Sequence, residues 1–134
     1  MPTGSDLAYL DASAIVKLIV DEDESQALRD ALGIWPRRAT SQIAVVEVIR
    51  AVRRRDPGAE PLARTVLSNM SLLAVGARAV ASASVVEPPT LRSMDALHVA
   101  TALRLGRTLA AFVSYETRQV EAAEALRLPT ASPR

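Results

Sequence analysis

Short, continuously apolar segments alternate along this chain with longer segments whose apolar residues recur every three or four positions. The clearest continuous segments are residues 8–10 and 109–115. Short strand candidates also lie at 38–43, 71–75 and, more weakly, 129–132. Continuous hydrophobicity is typical of parallel strands that are buried on both faces. The pattern therefore predicts a parallel sheet of about five strands with both faces buried.

Helical periodicity fills the segments between these strands. The predicted helices are residues 13–20, 24–32, 44–55, 60–70, 77–86, 93–105 and 117–128. Strands that alternate with helices indicate an α/β fold with a parallel sheet covered by helices on both faces. The Gly- and Pro-containing breaks between them are typical of loops rather than linkers. With 134 residues, 49% of them hydrophobic, the chain is predicted to form one domain over residues 1–134.

Composition narrows the chemistry that the chain can perform. It contains no cysteine and one histidine, His98, which excludes a disulfide framework, a thiolate nucleophile and a thiolate metal site. A metal ion would need oxygen ligands or His98. Residues 1–6 lack the basic start of a signal peptide, and the first apolar run falls short of the ~20 residues of a membrane span. We therefore expect a cytoplasmic protein outside the membrane.

The basic residues are almost all arginine. Lys17 is the only lysine among the sixteen basic residues, although the formal net charge is just +1. Arginine suits bidentate contacts with phosphate, but base composition of the gene is an alternative explanation. If carboxylates gather around a metal ion, the remaining surface is positive and favours a polyanionic substrate.

Four acidic residues lie at or near junctions of the predicted elements: Asp11, Glu47, Asp95 and Glu116. Asp11 and Glu116 directly follow the two strongest strands, and ligands of parallel sheets bind beyond the carboxyl ends of strands. Each acid alone also has a structural interpretation. Asp11 is a turn residue with Ser13 as the helix N-cap, Glu47 pairs with an arginine on an exposed face, and Glu116 stabilises a helix N-terminus.

Asp95 is the most informative of the four acids. It lies in the first turn of a predicted helix, on a face it shares with Val99, Ala102 and Gly106. Burial of an ionised carboxylate is costly unless a partner compensates it, and a cation is such a partner. Together, the four acids predict a site for one or two Mg²⁺ ions. By contrast, His98 is expected to be a packed histidine, and residues 21–24 (DEDE) a solvated run or helix start.

The motifs in this order resemble the PIN domains, and within them the VapC toxins of bacterial toxin–antitoxin pairs. The resemblance rests on the segments YLDASA, the stretch around Glu47, LRSMDALHVATA around Asp95, and the late stretch with Glu116. It implies a PIN-like domain in which Asp11, Glu47, Asp95 and Glu116 bind Mg²⁺ or Mn²⁺ and cleave RNA. The family pattern more often has Asp at the position of Glu116, and the longer Glu side chain is expected to bind through a water or to hold a second ion loosely.

The resemblance also implies partners and a mechanism. The expected partners are a VapB-like antitoxin that blocks the acidic site, an RNA substrate and a second copy of the chain in a homodimer. The expected mechanism is hydrolysis of RNA by a metal-activated water, which inhibits translation and growth. The candidates for RNA contacts are Arg50, Arg54, Arg118, Ser13 and Ser114.

Two other classes of protein remain as alternatives. A phosphotransferase of the haloacid-dehalogenase type needs a second Asp two residues after the first, where this chain has Ser13. A receiver domain needs a lysine after the last strand, whereas Lys17 is early. The stronger alternative is a protein-binding module on the same fold with a weak or lost nuclease site, which the Glu116 departure favours.

Overall fold

The computed structural model describes residues 5–134 and is built on a five-stranded sheet with the order β3-β2-β1-β4-β5. All neighbouring strands are parallel. The strands are β1 (Leu7–Leu10), β2 (Arg37–Ser41), β3 (Ser71–Leu73), β4 (Leu109–Val113) and β5 (Thr130–Ala131). This confirms the predicted fold class, a parallel α/β sheet flanked by helices.

Seven α-helices connect these strands within residues 5–134. They are α1 (Ala12–Lys17), α2 (Ser25–Ala31), α3 (Gln42–Arg55), α4 (Glu60–Ser68), α5 (Ala77–Ala83), α6 (Ser93–Leu103) and α7 (Thr117–Ala125). Short 3-10 turns precede α4 and β4. In this part of the chain, none of the helices combines the length and apolar character needed to cross a bilayer.

The central strand β1 joins two apolar layers. Ala8 and Leu10 contribute to a core with residues of α1, α2, α3 and α4. Tyr9 faces the opposite side and packs with Val99 of α6 and Phe112 of β4, with the Tyr9 and Phe112 rings stacked at 5.5 Å. Side chains alternate along a strand, so a fully apolar strand fills both layers at once.

The sheet order creates a crevice at its carboxyl edge. The chain passes from β1 to β2 on one side, and later adds β4 on the other side of β1. Where the order reverses in this way, connections leave in opposite directions and open a space beyond the strand ends. Asp11 follows β1 at this point, and its amide nitrogen donates to the carbonyl oxygen of Val113 at the end of β4 (3.1 Å).

Several predicted element ends were wrong by a few residues. The strand predicted to reach residue 43 ends at Ser41, because the Ser41 side chain accepts from the Ile43 amide (3.2 Å) and starts α3. The strand predicted to reach residue 115 ends at Val113, and the helix predicted to reach residue 20 ends at Lys17. Side-chain caps end or start elements at positions that hydrophobic periodicity does not reveal.

Candidate active site

All four predicted acids line one cavity at the carboxyl edge of the sheet, with a volume of about 540 Å³. Asp11 reaches the cavity from the end of β1, Glu47 from α3, Asp95 from the first turn of α6, and Glu116 from the start of α7. Four elements that are distant in sequence thus contribute one carboxylate each. Their roles in metal binding and cleavage stay predictions.

Asp11 is the most rigidly held of these acids. It caps α1, and its Oδ1 accepts from the Ala14 amide (3.0 Å) and the Ser13 hydroxyl (2.7 Å). Its Oδ2 lies 2.8 Å from the hydroxyl of Ser114, which follows β4. The expectation that Ser13 is the N-cap is therefore wrong. Asp11 caps the helix, because its side chain at the end of the strand accepts from a free amide of the first helical turn. The Ser13 hydroxyl donates to the same carboxylate and helps to hold it in place.

Asp11 carries a charge that its surroundings oppose. It is 2% exposed, and this burial raises the pKa of its carboxyl above the ordinary value. The nearby His98 ring and the hydrogen bonds from Ser13, Ala14 and Ser114 lower it again only in part. A buried carboxylate in this state gains stability from any cation that enters the cavity.

Asp95 is half-buried and lies close to other acids. Burial raises the pKa of its carboxyl, and the negative charges of Glu116 and Glu47 add to that shift, while His98 and Arg92 oppose it. The side chain of Gln119 on α7 donates to the Asp95 backbone oxygen (3.2 Å) and lies 3.4 Å from its Oδ1. Gln119 is fully buried and also contacts Ser114 (2.8 Å), so it joins α6 to the Asp11 side of the site.

Glu47 is held by a buried histidine. Its Oε1 lies 2.6 Å from Nε2 of His98, whose Nδ1 lies 2.6 Å from the Tyr9 hydroxyl. His98 is 1% exposed. Both ring nitrogens are engaged with protein groups, which agrees with the expectation of a packed and satisfied histidine.

Glu116 is the most exposed of the four acids. It occupies the N-cap position of α7 without a side-chain hydrogen bond to the helix. Its backbone amide donates to the Ser114 hydroxyl (3.1 Å). The Glu116 carboxylate is therefore free to turn within the cavity mouth, while the backbone beneath it is fixed.

Five basic residues line the same cavity. They are Lys17, Arg54, Arg55, Arg92 and Arg134. Among the predicted RNA contacts, Arg54 and Ser13 line the cavity, and Ser114 lies just behind Asp11. Arg50 and Arg118 are exposed and are not among the lining residues. On α3 the lining row is Glu47, Ala51 and Arg54, which follows the i, i+4, i+7 spacing of one helix face.

The acidic run at residues 21–24 is only partly solvated. Asp21 and Asp23 are exposed as expected, but Glu22 and Glu24 are ion-paired with Lys17 at 3.2 and 3.0 Å and line the cavity. Glu24 is the N-cap residue of α2, which confirms the helix-start interpretation for that residue, whereas the interpretation of Glu22 as a solvated residue was wrong. The signal that predicts the contact is the single lysine one turn or two before the run, within reach of i+5 and i+7.

The chemistry of the cavity suits a hard divalent cation. Carboxylate oxygens dominate its inner wall, and Mg²⁺ prefers oxygen ligands and is commonly held by one or two carboxylates plus waters and substrate phosphate. Within residues 5–134, no three His, Asp or Glu side chains converge tightly enough to form a complete metal cage. The residues therefore suit a hydrated ion better than a closed structural site, and the assignment of Asp11 and Asp95 as its ligands stays a prediction.

This chain belongs to the PIN domain family, whose model matches residues 8–125. The predicted resemblance to PIN domains, and within them to VapC toxins, is confirmed by its relatives. The chain is 41% identical over 125 residues to the ribonuclease VapC46 of Mycobacterium tuberculosis, an alignment that covers 93% of this chain and 96% of that protein.

Two solved structures share the fold. One is a toxin–antitoxin complex from Klebsiella pneumoniae, with a TM-score of 0.73 and 21% identity over 95% of this chain and 98% of that chain. The other is VapBC2 from Rickettsia felis bound to a promoter DNA fragment, with a TM-score of 0.65 and 14% identity over 94% and 99%. At these identities the likeness concerns the fold alone.

Proposed function

We propose that this protein is a metal-dependent endoribonuclease and the toxin of a toxin–antitoxin pair. One observation carries the proposal: four carboxylates from four elements line one cavity, and arginines line it as well. Full ionisation of these acids without a cation is unfavourable, because burial raises the pKa of Asp11 and of Asp95. The ribonuclease name of VapC46, at 41% identity, supports the same activity.

The acids have different tasks in the proposed reaction. Asp11 and Asp95 hold a Mg²⁺ ion, because they combine burial with fixed backbone positions. When bound, the ion supplies an activated water and neutralises charge on the scissile phosphate. Glu47 and Glu116 would complete the shell of the ion by accepting hydrogen bonds from its waters, and would orient the attacking water in line with the leaving oxygen. No side-chain nucleophile is required.

In this proposal, basic residues that line the cavity bind the RNA backbone. Arg54 and Arg92 line the cavity with the acids, from the last turn of α3 and from the residue before α6. Arginine contacts to phosphate fix the position of a nucleic acid without reading its sequence. The chain has one tryptophan and few other aromatic residues, which favours contacts with the RNA backbone over extensive base stacking.

The same cavity provides a way to inhibit the enzyme. An antitoxin segment with a basic side chain pairs with the carboxylates and takes the place of the metal and the substrate. The two structural neighbours, a toxin–antitoxin complex and VapBC2, support a partner of this kind. A homodimer is part of the proposal on the strength of the family resemblance.

The rival function is a protein-binding module without catalysis, and one observation favours it: no three acids within residues 5–134 form a preassembled metal cage. Thermal unfolding with and without Mn²⁺ separates the two functions. A competent site gains about 2.7 kcal/mol at a Mn²⁺ concentration 100 times its Kd, a rise on the order of 10 °C in Tm. Asp95→Asn should lose most of this gain. An unchanged Tm in the wild type would favour the binding module.

A further inference from the structure

Three side chains form a hydrogen-bonded series from the sheet to the cavity. The Tyr9 hydroxyl on β1 lies 2.6 Å from His98 Nδ1, and His98 Nε2 on α6 lies 2.6 Å from Glu47 Oε1 on α3. Tyr9 is fully buried and His98 is 1% exposed, whereas the Glu47 side chain is 28% exposed. The hydrogen-bonded series therefore begins in the core and ends at an acid of the proposed active site.

The chemistry of the three groups sets the direction of the hydrogen bonds. An ionised carboxylate only accepts hydrogen bonds, so His98 Nε2 must carry a proton toward Glu47. In a neutral imidazole the other nitrogen, Nδ1, is then an acceptor. The Tyr9 hydroxyl is the donor that satisfies it. Tyr9 donates to His98, and His98 donates to Glu47.

This arrangement exceeds what the core needs for packing. The Tyr9 ring already stacks on Phe112 in an apolar layer, and a phenylalanine and a leucine at positions 9 and 98 suit such a layer without buried polar atoms. Buried polar groups are tolerated only when they are hydrogen-bonded. Each side chain of this hydrogen-bonded series has a hydrogen-bond partner, and the series ends at the Glu47 carboxylate.

We propose that Tyr9 and His98 are positioning residues that fix the orientation of the Glu47 carboxylate. The inference rests on the proposed function, in which Glu47 orients the attacking water. Glu47 reaches the cavity on a flexible side chain from α3, and the bond from His98 to Oε1 leaves Oε2 as the oxygen available to the cavity. Partners that orient a metal-site residue from behind typically change metal affinity or activity 10- to 100-fold when they are removed.

The first test reads the tautomer directly. His98 is the only histidine, so a long-range ¹H–¹⁵N correlation spectrum of the ¹⁵N-labelled protein, with any histidine tag removed, contains one imidazole. We expect the Nε2–H tautomer with Nδ1 as a hydrogen-bonded acceptor, and a shift of the Nδ1 signal in Tyr9→Phe. The Nδ1–H tautomer, which leaves no proton on Nε2 for Glu47, would overturn the proposal.

The second test measures Mn²⁺ affinity by calorimetry in four variants. Tyr9→Phe and His98→Leu should bind Mn²⁺ 10- to 100-fold more weakly, whereas His98→Gln, which restores an amide donor toward Glu47, should recover most of the affinity. Phe112→Leu is the matched control, because it loosens the same apolar layer without removing a hydrogen bond of the series. Its Tm should fall while its affinity stays within about twofold of the wild type.

The outcomes separate this proposal from the proposed function. Wild-type affinity in both Tyr9→Phe and His98→Leu would overturn the positioning role. If His98→Leu does not fold, Tyr9→Phe decides, since it removes a single hydroxyl. If the wild type binds no Mn²⁺ but shows the Nε2–H tautomer, the hydrogen-bonded series stands and the metal assignment of the proposed function fails.

Discussion

At the scale of single residues, Asp95 combines burial with negatively charged neighbours. Burial and the charge of Glu116 raise the pKa of its carboxyl above the ordinary 3.8. Folding therefore favours the protonated form. That contribution to stability is fully present below pH 3.8 and is lost as the pH rises through the higher pKa of the folded protein. At neutral pH the ionised Asp95 lowers the stability of the metal-free protein.

Asp95→Asn should accordingly raise the free energy of unfolding of the metal-free protein at pH 7. Because the side chain is half-exposed, solvent screening limits the expected gain to about 1 kcal/mol. Urea unfolding at pH 7 and pH 3 measures it, and the gain should vanish at pH 3. A variant that is less stable than the wild type at pH 7 would contradict this account of the site.

Ser114 is the residue behind Asp11 whose removal should matter most. Its hydroxyl lies 2.8 Å from Asp11 Oδ2 and from Gln119 Oε1. Ser114→Ala should reduce RNA cleavage about 10- to 100-fold through a misoriented Asp11, with a stability loss of about 1 kcal/mol. Ser68→Ala, at an exposed serine of α4, is the control and should retain full cleavage. Equal activity in the two variants would argue against a supporting role for Ser114.

The acids themselves were predictable from the sequence, but their partners were not. Asp11 and Glu116 follow apolar strands, and Asp95 interrupts an apolar helix face, so local pattern marks all three. Gln119 and Tyr9 sit in ordinary helix and strand patterns, and their role depends on contacts 24 and 89 residues away in sequence. Only the folded arrangement brings those groups together.

At the scale of elements, an ion-pair cluster ties the segment between α1 and α2 to the end of α3. Lys17 of α1 pairs with Glu22 and Glu24, and Arg55 of α3 pairs with Glu22 at 2.7 Å. The Lys17 ammonium also lies 4.7 Å from the centre of the Tyr115 ring. The cluster fixes one wall of the cavity, which the acidic run alone did not predict.

Glu22→Gln should weaken this wall in a pH-dependent way. Burial acts to raise the pKa of Glu22, but the hydrogen bonds from Arg55 and Lys17 outweigh it and lower the pKa below the ordinary 4.5. Its stabilising effect is therefore present above pH 4.5 and lost as the pH falls through the lowered value. We expect a loss of about 1 kcal/mol at pH 7 and almost none at pH 3 in urea unfolding. Asp23→Asn, at an exposed neighbour, should show no loss at either pH, and an equal loss in both variants would contradict the cluster's role.

The ends of elements show where sequence patterns stop being informative. Periodicity located the helices and the strands of the sheet, because it reports which faces are buried. It placed the end of β2 two residues late, since the Ser41 cap and not an apolar break starts α3. Helical spacing places both Arg50 and Arg54 on the side of Glu47, but of these two only Arg54 lines the cavity.

At the scale of the whole molecule, the basic residues that line the cavity predict how RNA would bind. The Asp95→Asn protein, which is expected not to cleave RNA, allows binding to be measured without turnover. Arg54→Gln in that background should weaken RNA binding and reduce the slope of log K against log salt by about 1, as expected for one lost phosphate contact. Arg118→Gln, outside the cavity lining, should leave the slope unchanged. An effect of Arg118 equal to that of Arg54 would move the RNA path away from this cavity.

The parallel sheet explains why one edge carries the chemistry. Every strand points the same way, so Asp11 and Ser114 leave neighbouring strands at the same edge, and the helices that follow add Glu47 and Glu116 there. The alternation of strands and helices in the sequence predicted this edge. The sequence predicted a positive surface around the acids, but it did not predict which basic residues line the cavity. The arginines of the lining lie at helix ends, and the directions of those ends depend on packing.

The central claim is that this cavity cleaves RNA with a divalent metal. The most direct measurement incubates total RNA with purified wild type or Asp95→Asn, each with Mg²⁺, with Mn²⁺ and with EDTA, and maps the fragment ends. The account predicts discrete fragments with the wild type in Mg²⁺ or Mn²⁺, and none with EDTA or with Asp95→Asn. Equal cleavage by the folded Asp95→Asn protein, or by the wild type in EDTA, would contradict it.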